Sequence, residues 1–529
     1  MEDSVRARYN DHDQSHVLAG LDENDDGKQQ QQSKEKLWNQ LDLIRVEDVR
    51  SLFESATNDA RGSNNDGDIS DEEPHPFTGK IGNVSSSSSN HRQTGLELIR
   101  NRLVACVLMA GGQGTRLGHD GPKGTYDLKL PSGLSIFGLI CHRLRRIAHI
   151  SGFDSEDDEN SCSGVKVPPP PLYIMTSPMN DLETKKHFSD HNYFGLPSNS
   201  IYFFKQGTLP CLSATDGKIL METPTKVSSA PDGNGGVYPA LHRSGALKDM
   251  ERRNIKHVHL FSVDNVLIKP ADPIFLGYCA TRDDGKGADC GNKVVWKTDP
   301  IERVGVVAER GGRPCIVEYT EIGDVNARKI VPDDGFPGGE RLAYGAANIC
   351  NHYLSMNFLK NVVMPLCGVV NGGTENAVLG GMPMHVAHKK IPVWDPITSR
   401  TITPLSNNGI KLERFVFDIF PHCRNSNRTF AVLCVNRNDE FAPLKNGPGS
   451  ANDCPETARV ALSEQAEGWI RNAKHEKKNV KAVAAVRDAR RTDYEVSEVH
   501  PLVSYAGEGL DKYIGKIGHS PFYIKDEKQ

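Results

Sequence analysis

The stretch Leu108–Leu128, LMAGGQGTRLGHDGPKGTYDL, sets six glycines, one arginine and one lysine directly behind an apolar run. The run LVACVLMA, ending at Ala110, predicts a buried strand, and GGQG predicts a turn at its end. Bare glycines let backbone N–H groups come close to an anion, and a helix starting at TRLG would add its dipole. A phosphate-binding loop is therefore expected. Two widespread phosphate loops are excluded by spacing. The dinucleotide fingerprint Gly-x-Gly-x-x-Gly needs glycine where Leu117 stands, and the Walker sequence needs Gly-Lys, whereas Lys123 follows Pro122. A tight turn without a ligand explains the glycines but not Arg116 and Lys123 on either side of them.

Composition limits what the loop can serve. The chain has 529 residues, a formal net charge of -5 and 25% charged residues. That is enough for two or three globular domains, and it offers no basic face for nucleic acid. No apolar run approaches the roughly 20 residues that span a bilayer. The opening MEDSVRARYN lacks the apolar core of a secretory leader. The 12 cysteines are scattered, form no Cys-x-x-Cys pair, and several stand in apolar runs. Reduced, buried thiols and a cytoplasmic location are expected.

The texture changes twice along the chain. Residues 1–100 are polar, with the low-complexity patches KQQQQSK and SSSSSNH. Between them Leu37, Leu41, Ile44, Val49, Leu52 and Phe53 recur at helical intervals. A helical N-terminal region with disordered insertions is expected there. DENDDGKQQQQS has the early offsets of a calcium loop at Asp22, Asn24, Asp26 and Gly27. Its twelfth position is Ser33 instead of a bidentate Glu, so a solvated acidic loop is the reading. From 101 to 419, apolar runs such as PLYIMTS, HVHLFSVDNVL and VGVVAE alternate with amphipathic stretches, which predicts an α/β domain with a mostly parallel sheet. The acidic and proline-rich segment 155–171 reads as a surface insertion. From 420 to 529, TFAVLCVNR predicts a strand and PETARVALSEQAEGWIRNAKHE a helix opened by proline, in a smaller α+β domain.

What remains of the loop, Gly-x-Gly-Thr-Arg, a spacer and Pro-Lys, resembles the sugar-nucleotide pyrophosphorylases. The likeness extends from about Leu96 to Lys512 and is specifically to the eukaryotic-type UDP-N-acetylglucosamine pyrophosphorylase family. It is carried by MAGGQGTRLG, PKGTYDLKLPS, FKQGTLPCL, APDGNGGVYPAL, SVDNVLIKPADPIFLGYC, AANICNHYLS, GIKLERFVFDIF, EFAPLKN and PLVSYAGEGL. The resemblance implies a Rossmann-like nucleotidyltransferase core, with a mixed, mostly parallel sheet flanked by helices. It implies an enzyme that joins UTP to N-acetylglucosamine 1-phosphate, releasing pyrophosphate, with Mg2+ as the cofactor and Mn2+ as its alternative. A broader UDP-sugar or UDP-glucose pyrophosphorylase, and a silent UDP-sugar binder, stay open as alternatives.

The resemblance also implies roles for single residues. Gly111, Gly112, Gly114 and Thr115 would cradle the nucleotide, and Arg116 and Lys123 would face the triphosphate and its leaving group. Gln206 suits the uracil edge, because an amide both donates and accepts. Gly233 would lie against the base, and Asn234 against ribose or sugar. Asp264, at the end of an apolar strand, would hold the metal. Gly305, Glu318 and Asn348 would meet the sugar. Phe415 and Phe417, two apart and so on one face of a strand, would wall the N-acetyl pocket. Lys445 would reach the phosphates, with Lys411 a weaker candidate. The chain departs from the family pattern at Thr125, where Met is usual, at QGTLPC, and at Ser135-Ile136-Phe137. None of these removes a charged group from the proposed site.

Overall fold

The computed structural model describes the 529-residue chain apart from residues 1, 23–27, 60–71, 85–87, 154–164, 334, 337, 370–380, 425–428, 477–495, 515–516, 518–519 and 527–529. Residues 23–27 of the acidic calcium-loop candidate and most of the 155–171 insertion thus lie outside the described residues. Two units interleave along the chain. One comprises Met1–Glu72, Gln206–His242 and Val363–Ile419, the other Glu73–Lys205, Arg243–Val362 and Phe420–Gln529.

The second unit is built on an 11-stranded sheet. Its strands are β1 (His75–Pro76), β2 (Ile81–Asn83), β3 (Val104–Met109), β4 (Leu172–Thr176), β5 (Ile201–Lys205), β6 (His257–Ser262), β7 (Cys290–Trp296), β8 (Val306–Arg310), β9 (Arg313–Val317), β10 (Ala346–Ser355) and β11 (Phe430–Cys434). The spatial order is β2-β11-β7-β10-β6-β3-β4-β5, with β1, β8 and β9 off this path. Every pairing on the path is parallel except the two made by β10. The sheet is mixed and mostly parallel, as expected. Every residue of β3 and β4 is buried, which is why both read as unbroken apolar runs and not as alternating ones.

Helices flank this sheet: α1 (Ser88–Arg100), α2 (Ile136–Ser151), α3 (Asp181–Asp190), α4 (Pro273–Ala280) and α5 (Pro455–Glu476). Helices α1 and α4 touch backbone to backbone. A Cβ on Gly95 would stand 2.0 Å from Pro273 O, and one on Gly277 would stand 1.8 Å from His91 O. Ser135 caps α2 by accepting from the Gly138 N–H at 3.2 Å. Helix α5 spans the whole stretch expected from its proline start. The strand expected at TFAVLCVNR is β11, and it lies within the central sheet between β2 and β7. Among the described residues no helix is long and apolar enough to cross a membrane, and the 11 described cysteines are free thiols, five of them buried outright in the second unit.

In the first unit the helices Glu2–Asp11, Lys28–Leu43 and Val46–Asp59 pack Val5, Tyr9, Leu37, Leu41, Val46 and Val49 into a common core with Leu212, Ile219, Val227, Ile410 and Leu412. The low-complexity KQQQQSK is about the first two turns of the second of these helices, and not a disordered patch. Gln and Lys are good helix formers, and the Leu37–Leu41 stripe supplies the burial that holds the helix in place. Strands His385–Lys389, Gly409–Glu413 and Leu212–Ser213 form a small antiparallel sheet.

A buried charge cluster ties the second unit together. Lys293 on β7, fully buried, pairs with Asp272 and Glu440, and Lys269 lies 3.3 Å from Glu440. Asp272 also caps α4, accepting from the Ile274 N–H at 3.0 Å. Burial pushes the Glu440 carboxyl up, but Lys269 and Lys293 outweigh it and hold it at about 2. Its share of stability is therefore full above the ordinary value of 4.5 and is lost as pH falls toward about 2. Lys293→Met strands the buried Asp272 and leaves Glu440 with Lys269 alone, and is expected to cost about 3–5 kcal/mol in urea unfolding at neutral pH. A loss below about 1 kcal/mol would show that both acids find other partners.

Candidate functional site

Strands β6, β3 and β4 run parallel and in register, with Ser262 opposite Met109 and Met109 opposite Met175. Their carboxyl ends therefore release the chain at one edge of the sheet, where ligands of open α/β sheets bind. From β3 the chain enters the glycine loop. Gly114 N–H donates to Gly121 O at 2.8 Å and Lys123 N–H to Gly112 O at 3.1 Å, closing the loop on itself. From the start of α3 the buried Asn180 donates its side-chain amide to Ala110 O at 3.0 Å and to Gly112 O at 3.3 Å. The α-helix start expected at TRLG is a single 3-10 turn, Thr115–Leu117, ended by Gly118 at φ 67°. The segment after the glycines opens no α-helix of its own; the next α-helix along the chain is α2.

The glycines of this loop do different work. A Cβ on Gly114 would lie 2.8 Å from the His119 ring, and one on Gly124 would lie 2.2 Å from the buried Phe137 ring, so the fold itself requires both. A Cβ on Gly112 would meet nothing within 4 Å. Glycine there is not demanded by packing, which leaves close approach of a ligand to the backbone as its use. Thr125, the departure from the family pattern, donates its hydroxyl to Pro122 O at 2.8 Å and lies 2.7 Å from His119 Nε2, so it braces the loop from within.

Four charged side chains share this neighbourhood. Lys123 Nζ donates to Leu444 O at 3.1 Å. Burial pulls its pKa below the lysine range, Asp264 opposes that, and Arg116 and Lys445 add to it. Leu444 N–H in turn donates to Asp264 O at 2.8 Å. Next along the chain, Asn265 donates to Glu440 O at 2.7 Å and accepts from the Ala442 N–H at 3.0 Å. The segment 440–445 is thereby stitched to the turn after β6, and Lys445 arrives near Asp264. Within the described residues, no hydrogen bond or ion pair engages the side chains of Arg116, Lys445 or Asp264. No three described His, Cys, Asp or Glu residues group as a metal cage. One carboxylate among three cations suits a divalent ion that takes most of its ligands from phosphates and water.

Gly305, Glu318 and Asn348 come together in the same unit. Asn348 N–H donates to Gly305 O at 2.9 Å, and a Cβ on Gly305 would stand 3.0 Å from Glu318 Oε1. Glu318 opens the helix Tyr319–Ala327, and its N–H donates to Glu321 Oε1 at 3.1 Å. Asn348 Oδ1 accepts from the Cys350 N–H at 3.1 Å. Cys350 holds the left-handed φ of 53°. Burial pushes its thiol up to about 12, with Asp264 adding and Lys445 opposing. Asn180 and Cys350 are the neighbours that sequence reasoning missed. Neither TSPMND nor NICNH signals a loop brace or a left-handed residue.

The remaining candidates lie in the first unit. Gly233 adopts φ 85°, and a Cβ there would stand 2.3 Å from Arg414 O. Gly235 N–H donates to Arg414 O and Arg414 N–H to Asp232 O, both at 2.9 Å. Asn234 Oδ1 accepts from the Val416 N–H at 2.8 Å, leaving its NH2 group for other partners. Gln206 is two hydrogen-bonded residues away, since Asp232 N–H donates to Gly207 O at 3.2 Å. Phe415 and Phe417 do not share a strand face. The strand ends at Glu413, and both sit in the turn beyond it, with ring centroids 5.1 Å apart. Lys411, on that strand, forms an ion pair with Glu413 at 2.6 Å.

The family model described as UTP--glucose-1-phosphate uridylyltransferase matches residues 58–366. A Saccharomyces cerevisiae UDP-N-acetylglucosamine pyrophosphorylase is 40% identical over 450 residues, covering 85% of this chain and 84% of its own. UDP-N-acetylglucosamine diphosphorylase 2 of Arabidopsis thaliana is 40% identical over 433 residues, covering 81% and 77%. The crystal structure of the Trypanosoma brucei uridine diphosphate N-acetylglucosamine pyrophosphorylase superposes with a TM-score of 0.80 at 28% identity, over 100% of this chain and 98% of that one. With its glycine loop, its sheet and its ordered segments matched in this way, the chain belongs to the UTP--glucose-1-phosphate uridylyltransferase family, among the UDP-N-acetylglucosamine pyrophosphorylases.

Proposed function

We propose that the chain makes UDP-N-acetylglucosamine and pyrophosphate from UTP and N-acetylglucosamine 1-phosphate. The observation that carries this reading is the set of unengaged charges, Arg116, Lys445 and Asp264, around Lys123 at the open glycine Gly112. Arg116 and Lys445 are exposed and Asp264 is half-buried, so folding leaves all three to water and to a ligand with its metal ion, which is how a site for a polyanion is built.

A phosphate oxygen of the sugar phosphate attacks the α-phosphorus of UTP in line. The new O–P bond forms as the bond to the β-phosphate oxygen breaks, and pyrophosphate leaves with the electron pair. A phosphate monoester with its second pKa near about 6 is already ionised at neutral pH, so no general base is needed. The work left to the protein is positioning and charge stabilisation. Gly111, Gly112, Gly114 and Thr115 hold the phosphates from the loop backbone. Arg116 and Lys123 face the charge that builds on the α-phosphate and the departing diphosphate. Lys445 reaches the phosphates from the 440–445 segment, and Lys411, already paired with Glu413, is the weakest of the assigned cations. A divalent cation, Mg2+ with Mn2+ as the alternative, held through Asp264, would neutralise phosphate charge when bound.

In the first unit Gln206 addresses the uracil edge, Gly233 admits the base, and the Asn234 amide N–H group is available to ribose. Phe415 and Phe417 wall the acetamido group. Gly305, Glu318 and Asn348 meet the sugar hydroxyls and the acetamido carbonyl. A reducing, cytoplasmic setting fits the free buried thiols, and the substrates are small molecules.

A pyrophosphate-release assay across the 1-phosphates of N-acetylglucosamine, N-acetylgalactosamine and glucose tests the reading. Turnover is expected to be highest with the first, and preference for glucose 1-phosphate would assign the chain to the other substrate of its family. Lys123→Ala is expected to lower kcat on the order of 100-fold while sugar-phosphate KM stays within about twofold. Equal losses in both would remove Lys123 from the transition state. Gly112→Ala should weaken UTP with an unchanged melting temperature, whereas Gly124→Ala should cost about 1–3 kcal/mol of stability through its clash with Phe137. Should Gly112→Ala bind UTP normally, the loop backbone would not contact the nucleotide.

A further inference from the structure

The turn that carries Phe415 and Phe417 lies beyond the last ladder hydrogen bond of its strand, so something other than the sheet must fix the pitch of these rings. His385 begins the neighbouring strand, directly opposite Glu413, where the ladder ends. Its imidazole stacks on Phe415 with centroids 4.1 Å apart and planes 23° from parallel. Its Nε2 lies 2.9 Å from Asp418 Oδ1. Asp418, only 8% exposed, uses its other oxygen to accept from the Phe415 N–H at 2.7 Å. Asp418 N–H donates back to Phe415 O at 3.2 Å. One buried carboxylate thus holds both the backbone of Phe415 and the ring that lies flat against its side chain. Phe415 also meets Phe417, with ring centroids 5.1 Å apart and planes tilted by 37°, and Val416 between them is pinned by Asn234 Oδ1 at 2.8 Å and by the Tyr238 hydroxyl at 2.6 Å.

We infer that His385 and Asp418 are positioning residues for sugar selection. The stacked imidazole and the carboxylate behind it set the plane of Phe415, and through it the acceptance of an N-acetyl substituent on the sugar phosphate. The inference rests on the assignment of Phe415 to the acetamido wall. Neither residue touches the reacting phosphorus, so neither is a catalytic residue. An aromatic face whose tilt is set from behind discriminates by fit, and a displacement of the order of 1 Å costs more for the substrate that contacts it than for one that does not.

Steady-state kinetics on the full chain test this, with Phe415→Ala as the reference. His385→Ala is expected to raise KM for N-acetylglucosamine 1-phosphate on the order of tenfold, with kcat and the UTP KM within about twofold. Glucose 1-phosphate, measured as a substrate or as a competing inhibitor, should be little affected. His385→Phe keeps a ring against Phe415 but loses the bond to Asp418, and should recover part of the loss. Asp418→Asn, which can no longer accept with both oxygens, should reproduce part of it even if His385→Ala is too unstable to assay. Losses shared by both sugar phosphates or by UTP, no loss at all, or no recovery in His385→Phe would each overturn the positioning role. If Phe415→Ala binds the N-acetyl substrate normally, the wall assignment falls and the inference with it. If Phe415→Ala is impaired and His385→Ala is not, only the inference falls.

Discussion

The buried ammonium of Lys293 is the constraint on which the second unit's site depends. It bridges Asp272, which starts α4, and Glu440, which starts the segment leading to Lys445. An ion inside a sheet is expensive unless it is fully paired, and here two carboxylates and the Phe275 face, 5.4 Å away, surround it. The return is geometric. With Glu440 fixed, Asn265 can bond to residues 440 and 442, Leu444 can bond to Asp264, and the Leu444 carbonyl can take the Lys123 ammonium. A loop distant in sequence from the glycine turn is held beside it by interactions that have nothing to do with substrate. Among the described residues, the side chains of Arg116, Lys445 and Asp264 are left without a hydrogen-bonding or ion-pair partner.

The same division between groups used by the fold and groups left open runs through the glycine loop. Gly114 and Gly124 are there because His119 and Phe137 leave no room for a side chain. Gly112 is there although room exists. The Asn180 amide, fully enclosed, holds the carbonyls on either side of Gly111 and so keeps the loop's shape without any ligand. Preorganised donors and cations of this kind are what a reaction with little covalent work for the protein needs, because their reorganisation is completed on folding and not at the transition state.

Much of this was legible along the chain, and the reason is locality. The strand LVACVLMA, the turn after it, the helix from Pro455 and the buried stripe of Leu37 and Leu41 are read from neighbours within one or two turns. The glycine loop was legible as an anion site because Arg116 and Lys123 stand so near the glycines in sequence. What was not legible depends on pairings between distant segments. Strand β11 enters the central sheet beside β7, some 140 residues earlier in the chain, and no periodicity announces it. The spacing of Phe415 and Phe417 looks like one face of a strand, but the strand stops at Glu413, because Asp418 and Asn234 capture the backbone N–H groups of 415 and 416. The helix start expected at TRLG shortens to one 3-10 turn because the loop spends its hydrogen bonds closing on itself.

Captured N–H groups are also why the aromatic turn can carry specificity. A ring on a regular strand is aimed by the ladder, and its tilt is shared by every residue of the same face. Beyond the ladder the direction of each ring is set by its own contacts. For Phe415 these are one stacked imidazole, the tilted ring of Phe417 and one carboxylate that bonds to both the imidazole and the peptide. Such an arrangement is adjustable by single substitutions that leave the sheet, the glycine loop and the charge cluster untouched. Within one family, the chemistry at phosphorus can therefore be held constant by buried charge and loop closure, while the fit to the sugar changes through residues that never meet the phosphates.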